Sequence, residues 1–249
     1  MTHDETNYDL ELAAQLQAAM LPESCPAECE HHRMAARNRM CGEVGGDFYD
    51  FIVLNDDQVA LVLGDVVGHG VQAALVMAMI KGFLHANHAN RHRPTKMVAS
   101  INDLLCHLGD RTGSVTICSL IYAVLDIPSG SCFLCNAGHA PPLLIEPKSF
   151  GAVHLSQHDI LLGIEPFEPT EICHTFQPGE RMVLFTDGIP DAVDPAGEFF
   201  NSTRLNTVLM EYQHASADEC ADAVIRAVDD FRGTADPTDD ETILILDRL

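Results

Sequence analysis

Two apolar, strand-forming runs, Phe48 to Leu54 and Val59 to Leu63, flank Asn55-Asp56-Asp57, and an aspartate stands just beyond each run, at Asp47 and Asp65. Asn and Asp bond their own backbone in turns, so this stretch reads as an antiparallel hairpin. With Leu54 opposite Gln58, the pairing runs outward through Phe48 and Gly64 and brings Asp47 directly opposite Asp65. Opposed residues share one face of the sheet, with Cβ atoms about 4.5–5.5 Å apart. Two carboxylates at that distance repel by about 3 kcal/mol at an effective dielectric near 20. A cation between them reverses the sign, and carboxylate oxygens are the donors that Mg²⁺ and Mn²⁺ prefer. The reading depends on register, because a slip of one residue sends the two side chains to opposite faces.

The rest of the chain supplies more acids of the same kind. The apolar run from Arg181 to Thr186 ends in Asp187-Gly188, and Asp236 to Glu241 gathers acids before a final strand-like run, Thr242 to Asp247. Acids outnumber bases, 37 to 14, for a formal charge of -23. Such a chain repels a phosphate backbone, so no nucleic-acid partner is expected. Most of these acids read as a solvated surface. There is no run of 18 apolar residues, and the polar, acidic start from Met1 to Asn7 is unlike a signal peptide, so no membrane partner and a cytoplasmic location are expected.

Nine cysteines scattered through the chain read mostly as buried thiols of a reducing compartment. Cys25, Cys29, His31 and His32 lack the spacing of a standard zinc finger. Cys132 and Cys135 fall on opposite faces of a strand and read as no ligand pair. His85, His88 and His92 read as a solvated helix end.

Hydrophobic periodicity places helices at Leu10 to Leu21, Val71 to Ala86, Pro94 to about Leu108, 203–212 and 216–231. The first is preceded by a T-x-x-D capping pattern, Thr6 to Asp9. Strands are expected at Met34 to Met40, in the hairpin, and near 114–126, 130–136, 142–146, 171–176, 181–186 and 242–247. Hairpins with paired helices between them point to an α+β fold over antiparallel sheets. Leu12, Leu16 and Ala19, beside Ala13 and Met20, make one apolar stripe on the first helix. A lone helix of this length is marginal in water, so the stripe needs cover. The cover is either the helix's own domain, or a second copy or signalling helix.

The ordered motifs resemble the PPM family of metal-dependent serine/threonine phosphatases, in the bacterial branch typified by stage II sporulation protein E and the regulators of the general stress sigma factor. They are Gly45-Gly46-Asp47-Phe48-Tyr49-Asp50, Gly64-Asp65-Val66-Val67-Gly68-His69-Gly70-Val71, Asn136-Ala137-Gly138-His139-Ala140-Pro141-Pro142, Leu161-Leu162-Gly163, Pro178-Gly179-Glu180, Thr186-Asp187-Gly188 and Asp239-Asp240-Glu241-Thr242. The resemblance implies a four-layer α/β/β/α sandwich of two antiparallel sheets flanked by helices, as a phosphatase domain at 23–249 after an N-terminal linker helix at 1–22. It implies two Mn²⁺ or Mg²⁺ ions and a water they activate, with Asp47, Asp65 and Asp187 catalytic. Asp47, Asp65, the Val66 carbonyl, Asp187 and Asp239 or Asp240 would be the metal ligands, Asp239 being favoured over its neighbour. Asp50 would support the ligands from behind. The implied partner is a phosphorylated protein, a STAS-type anti-sigma-factor antagonist, and the first helix would serve a homodimer.

The sequence departs from the family pattern in places. His69 stands where the family usually has Lys, and Asp191 where it has Glu. No arginine stands beside the first motif to grip phosphate, which leaves Arg33, Arg37 and Arg39 as candidates. His139 reads as ordering its own turn, with a catalytic role as the alternative. A catalytically silent module that binds a partner is the competing function. A Ca²⁺-binding loop is disfavoured, because Asp236 to Glu241 lacks the glycine and spacing of an EF-hand.

Overall fold

The computed structural model describes residues 3–23 and 31–249, with side chains from Tyr8 onward. Cys25 and Cys29 lie outside the described residues, as does the Thr6 side chain. Chain order gives α1 (His3–Met20), β1 (His32–Arg39), β2 (Phe48–Asn55), β3 (Gln58–Val66), α2 (Val71–Ala86), α3 (Pro94–Thr112), β4 (Cys118–Asp126), β5 (Ser131–Ala137), β6 (Leu143–Ile145), β7 (Val153–His154), β8 (Ile172–Thr175), β9 (Arg181–Phe185), α4 (Asn201–Glu211), α5 (Ala217–Arg232) and β10 (Glu241–Arg248). Two five-stranded sheets form, β1-β10-β9-β6-β7 and β2-β3-β4-β5-β8, and all their pairings are antiparallel.

Alternation along the strands builds the layers. Tyr49, Phe51, Leu61 and Leu63 pack against Met182, Leu184, Leu244 and Leu246 in a core between the sheets. Their neighbours Phe48, Ile52, Ala60 and Val62 face Met77, Ile80, Met97 and Ile101 of α2 and α3. On the far side, Val183, Phe185, Ile243 and Ile245 meet Leu205, Leu209, Val224 and Val228 of α4 and α5. The fold is therefore α+β, a four-layer α/β/β/α sandwich. Burying Val224 and Val228 stabilises by about 1.5–3 kcal/mol each. α5 starts at a capping box, Ser216 with Glu219, which satisfies two otherwise orphaned N–H groups. Arg37 and Arg39 of β1 tie the same helix down through Asp222 at 2.6 Å and Asp229 at 2.7 Å.

The hairpin register agrees with expectation except at its tip. Asn55, not Leu54, is opposite Gln58, and the register shifts between Val53 and Asn55. The Asn55 side chain accepts from Asp57 N–H at 2.9 Å, which closes a tighter turn, and Leu54 becomes the bulged residue. From Val53 outward the pairs are those expected, through to Phe48 opposite Gly64.

α1 differs more. It begins at His3, before the Thr6–Asp9 capping pattern, so that pattern does not start the helix. Its buried residue is Gln17, at 5% exposure, whereas Leu12 and Leu16 are 45% and 62% exposed and Tyr8 extends the same stripe. The stripe does not pack back on its own domain.

Candidate metal centre

Asp47 and Asp65 stand opposed at the open end of the hairpin. The ladder runs one step past the last pair of β2 and β3, with Val66 N–H donating to the Gly46 carbonyl at 3.3 Å. Asp65 is also opposite Ser119 on β4. Asp47, Asp65 and Ser119 thus form a row across one sheet, facing the other.

The outer members of the row are fastened. Asp47 Oδ2 accepts from Thr186 Oγ1 at 2.8 Å, just beyond β9 of the opposite sheet, and from Thr242 Oγ1 at 2.5 Å on its β10. Asp65, in the middle, takes no hydrogen bond on its carboxylate from the described residues. Burial, followed by the charges of Asp187, Asp239 and Asp240, pushes Asp65 up to about 7. Asp47 is held well above the ordinary carboxylate range, first by burial and then by Asp65, with the two threonine hydroxyls pulling the other way. Burial also raises Asp187, helped by Asp191. It raises Asp239 too, where His69 pulls down and Asp187 pushes up. Four carboxylates from both sheets therefore press on one another across the edge of the sandwich.

Asp240 plays a different part from Asp239. Its Oδ1 accepts from Cys41 N–H at 2.8 Å, and its Oδ2 from Gly46 N–H at 2.8 Å and Asp47 N–H at 3.3 Å. It shapes the loop that carries Asp47. A side chain on Gly45 would collide with the Asp240 carboxylate, and one on Gly188 with the Asp240 carbonyl, so both glycines are required by close approach. Gln17 of α1 grips the same loop, donating to the Gly45 carbonyl at 2.7 Å and accepting from its N–H at 3.0 Å.

These residues fit divalent cations by their chemistry. The donors are hard oxygens, and the mutual repulsion of their charged forms is what a cation would relieve. Asp47, Asp65, Asp187 and Asp239, with the Val66 carbonyl, could hold such ions. The arrangement is open: among the described residues no three acidic, imidazole or thiol groups already enclose a metal position.

Several sequence expectations are corrected. Asp50 does not back the carboxylates; it lies on the helix-facing side of β2, bonded to Lys81 at 2.7 Å and His85 at 2.8 Å. Alternation along the strand puts it there, three residues from Asp47. His85 is therefore tied to Asp50, not simply solvated at a helix end. The arginines offer no phosphate grip at this edge. Arg37 and Arg39 point outward to acids of α5, and Arg33 donates to the His32 carbonyl at 3.0 Å, near the far end of β1. The Asn136 side chain closes the turn by bonding His139 N–H and C=O at 2.8 and 3.0 Å, while the His139 ring reaches elsewhere. Cys132 packs between the sheets and Cys135 under the helices, on opposite faces as expected.

Thr186 and Thr242, which hold Asp47, lie within the family motifs, and their place beside Asp187 and the Asp239-Asp240-Glu241 run is the sequence signal for them. Gln17 and Ser119 had none.

The sequence pattern of the family described as stage II sporulation protein E (SpoIIE) matches residues 55–249. The chain is 28% identical over 228 residues to Protein IcfG of Synechocystis sp. (strain ATCC 27184 / PCC 6803 / Kazusa), covering 81% of this chain and 35% of that protein. It thus spans about a third of that relative's length. It is 25% identical over 249 residues to Phosphoserine phosphatase RsbU of Bacillus subtilis (strain 168), covering 98% of this chain and 71% of RsbU. In three dimensions it is similar to the SiaA-PP2C domain of Pseudomonas aeruginosa, with a TM-score of 0.81 at 22% identity, over 99% of this chain and 98% of that one.

Proposed function

The chain belongs to the stage II sporulation protein E family, and from that membership we propose that it is a metal-dependent phosphatase acting on phosphoserine or phosphothreonine of a partner protein. The observation that carries this reading is the row Asp47–Asp65–Ser119 set opposite Asp187 and Asp239, with the Asp65 carboxylate pressed from several sides and hydrogen-bonded by none of the described residues. Two Mn²⁺ or Mg²⁺ ions held there would offset the phosphoryl charge and acidify a water for in-line attack.

The residues divide the remaining work. Asp47, fixed by two hydroxyls, presents its other oxygen in one orientation. Asp65 and Asp187, from opposite sheets, flank the place where a phosphoryl group would sit. Asp239 closes the edge, and Asp240 holds the Asp47 loop in shape through three N–H groups. No cysteine nucleophile is needed; buried Cys118, Cys132 and Cys135 are all pushed well above the ordinary thiol range by burial.

The substrate is read as a STAS-type anti-sigma-factor antagonist, in keeping with the bacterial branch of the family that the motifs resemble. Residues 1–22 are read as a linker helix and 23–249 as the phosphatase domain. The exposed stripe Tyr8, Leu12, Leu16 and Met20 supports pairing of that helix with a second copy. The test is incubation with a phosphorylated STAS-type antagonist and Mn²⁺, followed by mass spectrometry. Loss of the phosphate mass supports the reading. Retention by the protein, with hydrolysis only of free metabolites, contradicts it.

A further inference from the structure

We propose that His139 is a positioning residue that sets the spacing of the two sheets at Asp65 and Asp187, and through it the affinity of the edge for divalent cations. The proposal rests on the metal reading above and goes beyond it, since His139 touches none of the four carboxylates in that reading.

The geometry is a bridge. His139 Nδ1 lies 2.7 Å from Ser119 Oγ, and its Nε2 lies 3.1 Å from the Phe185 carbonyl. A carbonyl can only accept, so Nε2 carries the hydrogen and Nδ1 accepts from the serine hydroxyl. Each end lands beside a metal-facing residue. Ser119 is the cross-strand partner of Asp65. Phe185 is the last residue of β9, two before Asp187. Ser119 belongs to one sheet and Phe185 to the other, so the ring spans the sandwich.

This bridge is the counterpart of the one made by Asp47. On one side of Asp65, Asp47 is fastened to the opposite sheet through Thr186 and Thr242. On the other side, Ser119 is fastened to it through His139. Asp65 is left between two fixed points, held by its backbone while its carboxylate takes no hydrogen bond from the described residues. The separation of Asp65 from Asp187 is then defined before any ion arrives.

A purely local role does not account for the ring. Asn136 already closes the turn through the His139 backbone. An apolar side chain would fill the space without the cost of desolvating an imidazole. Burial pushes His139 down to about 4, so the ring stays neutral at working pH and the bridge keeps one arrangement of donors and acceptors.

The test compares Mn²⁺ binding, followed by electron paramagnetic resonance of the free ion, in the wild-type protein and in His139→Gln, Ser119→Ala and Glu180→Gln. The glutamine amide nitrogen can take the place of Nε2 and donate to Phe185, but the amide puts no acceptor at the Nδ1 position that faces Ser119; Ser119→Ala cuts the same link from the other side. Glu180→Gln is the control for general loss of stability. Glu180 stitches the sheets at the other end of β9 through His174, at 2.9 Å. Melting temperatures are recorded alongside. We expect His139→Gln and Ser119→Ala each to weaken Mn²⁺ binding by about tenfold, the scale of a lost outer-shell partner, with turnover largely recovered at saturating Mn²⁺. Glu180→Gln is expected to lower the melting temperature and leave Mn²⁺ binding as in the wild type. If the wild type binds Mn²⁺ and the bridge variants bind it as tightly, or no more weakly than Glu180→Gln does, this proposal is overturned alone. If the wild type binds no Mn²⁺, it falls together with the metal reading. Should His139→Gln fail to fold, Ser119→Ala decides.

Discussion

Replacing Asp65 by Asn should stabilise the metal-free protein and destabilise the metal-loaded one. Asn keeps the shape of Asp and removes the charge. In the native state burial and three neighbouring aspartates push Asp65 up to about 7, against an ordinary value of 3.8. An acid whose pKa is raised by folding binds more protons folded than unfolded, so folding is penalised as pH rises. The penalty is absent below the unfolded value, grows between the two values, and is complete above the folded one. Its ceiling is about 4 kcal/mol, from 1.36 kcal/mol per pKa unit. The edge of the sandwich is partly open to water, which screens the charges and brings the expected figure to about 1–2 kcal/mol. Urea unfolding with a chelator present, at pH 5 and pH 8, reads this directly. Asp65→Asn should exceed the wild type in stability by more at pH 8 than at pH 5. With excess Mn²⁺ at pH 8 the order should reverse, because the wild type gains the linkage free energy of a ligand that binds only the native state. A metal-free Asp65→Asn protein that is less stable than wild type at pH 8, or a difference equal at both pH values, would refute the account of these carboxylates.

Other outcomes follow from the same geometry. Gln17→Ala leaves the buried Gly45 N–H and C=O without partners, and should cost about 1–3 kcal/mol in melting experiments and lower turnover by loosening the Asp47 loop. Glu241→Ala removes one acidic partner of Arg39 and of Arg232, both of which keep Asp229; losing these charged hydrogen bonds should cost about 1.5–3 kcal/mol, measured by urea unfolding. Arg37→Ala should leave the KM for a phosphoprotein unchanged, because Arg37 is engaged with Asp218 and Asp222; a large rise in KM would restore it as a phosphate grip. Leu12→Asp with Leu16→Asp should shift the mass measured by light scattering from dimer to monomer, and a wild type already monomeric at high concentration would dispose of the helix-pairing idea.

The sequence made the hairpin and its aspartates legible because both depend on local rules. Two apolar runs and an Asn-Asp-Asp turn between them define a register, and register alone sets Asp47 opposite Asp65. The bulge at Leu54 was not legible, since it depends on how the Asn55 side chain closes the turn. Asp50 was misplaced by proximity in sequence, where strand alternation decides the face. The arginines of β1 were misjudged for a tertiary reason: which helix packs outside the first strand is set by the order of strands in the sheet, which no local pattern carries. The role of Asp240 was hidden likewise, because the three N–H groups it accepts from lie 193 to 199 residues away. The stripe on α1 was visible as a stripe, while its exposure followed only from seeing that Gln17 takes the inward face.

The most direct test of the central claim is hydrolysis of p-nitrophenyl phosphate by the wild-type chain and by Asp65→Ala and Asp187→Ala, each with Mn²⁺, with Mg²⁺ and with a chelator. The account predicts turnover by the wild type that requires the cation and is abolished by the chelator. It also predicts that both variants lose most activity while their circular dichroism stays that of the folded protein. Full activity in Asp65→Ala, or turnover by the wild type that the chelator leaves untouched, would contradict it.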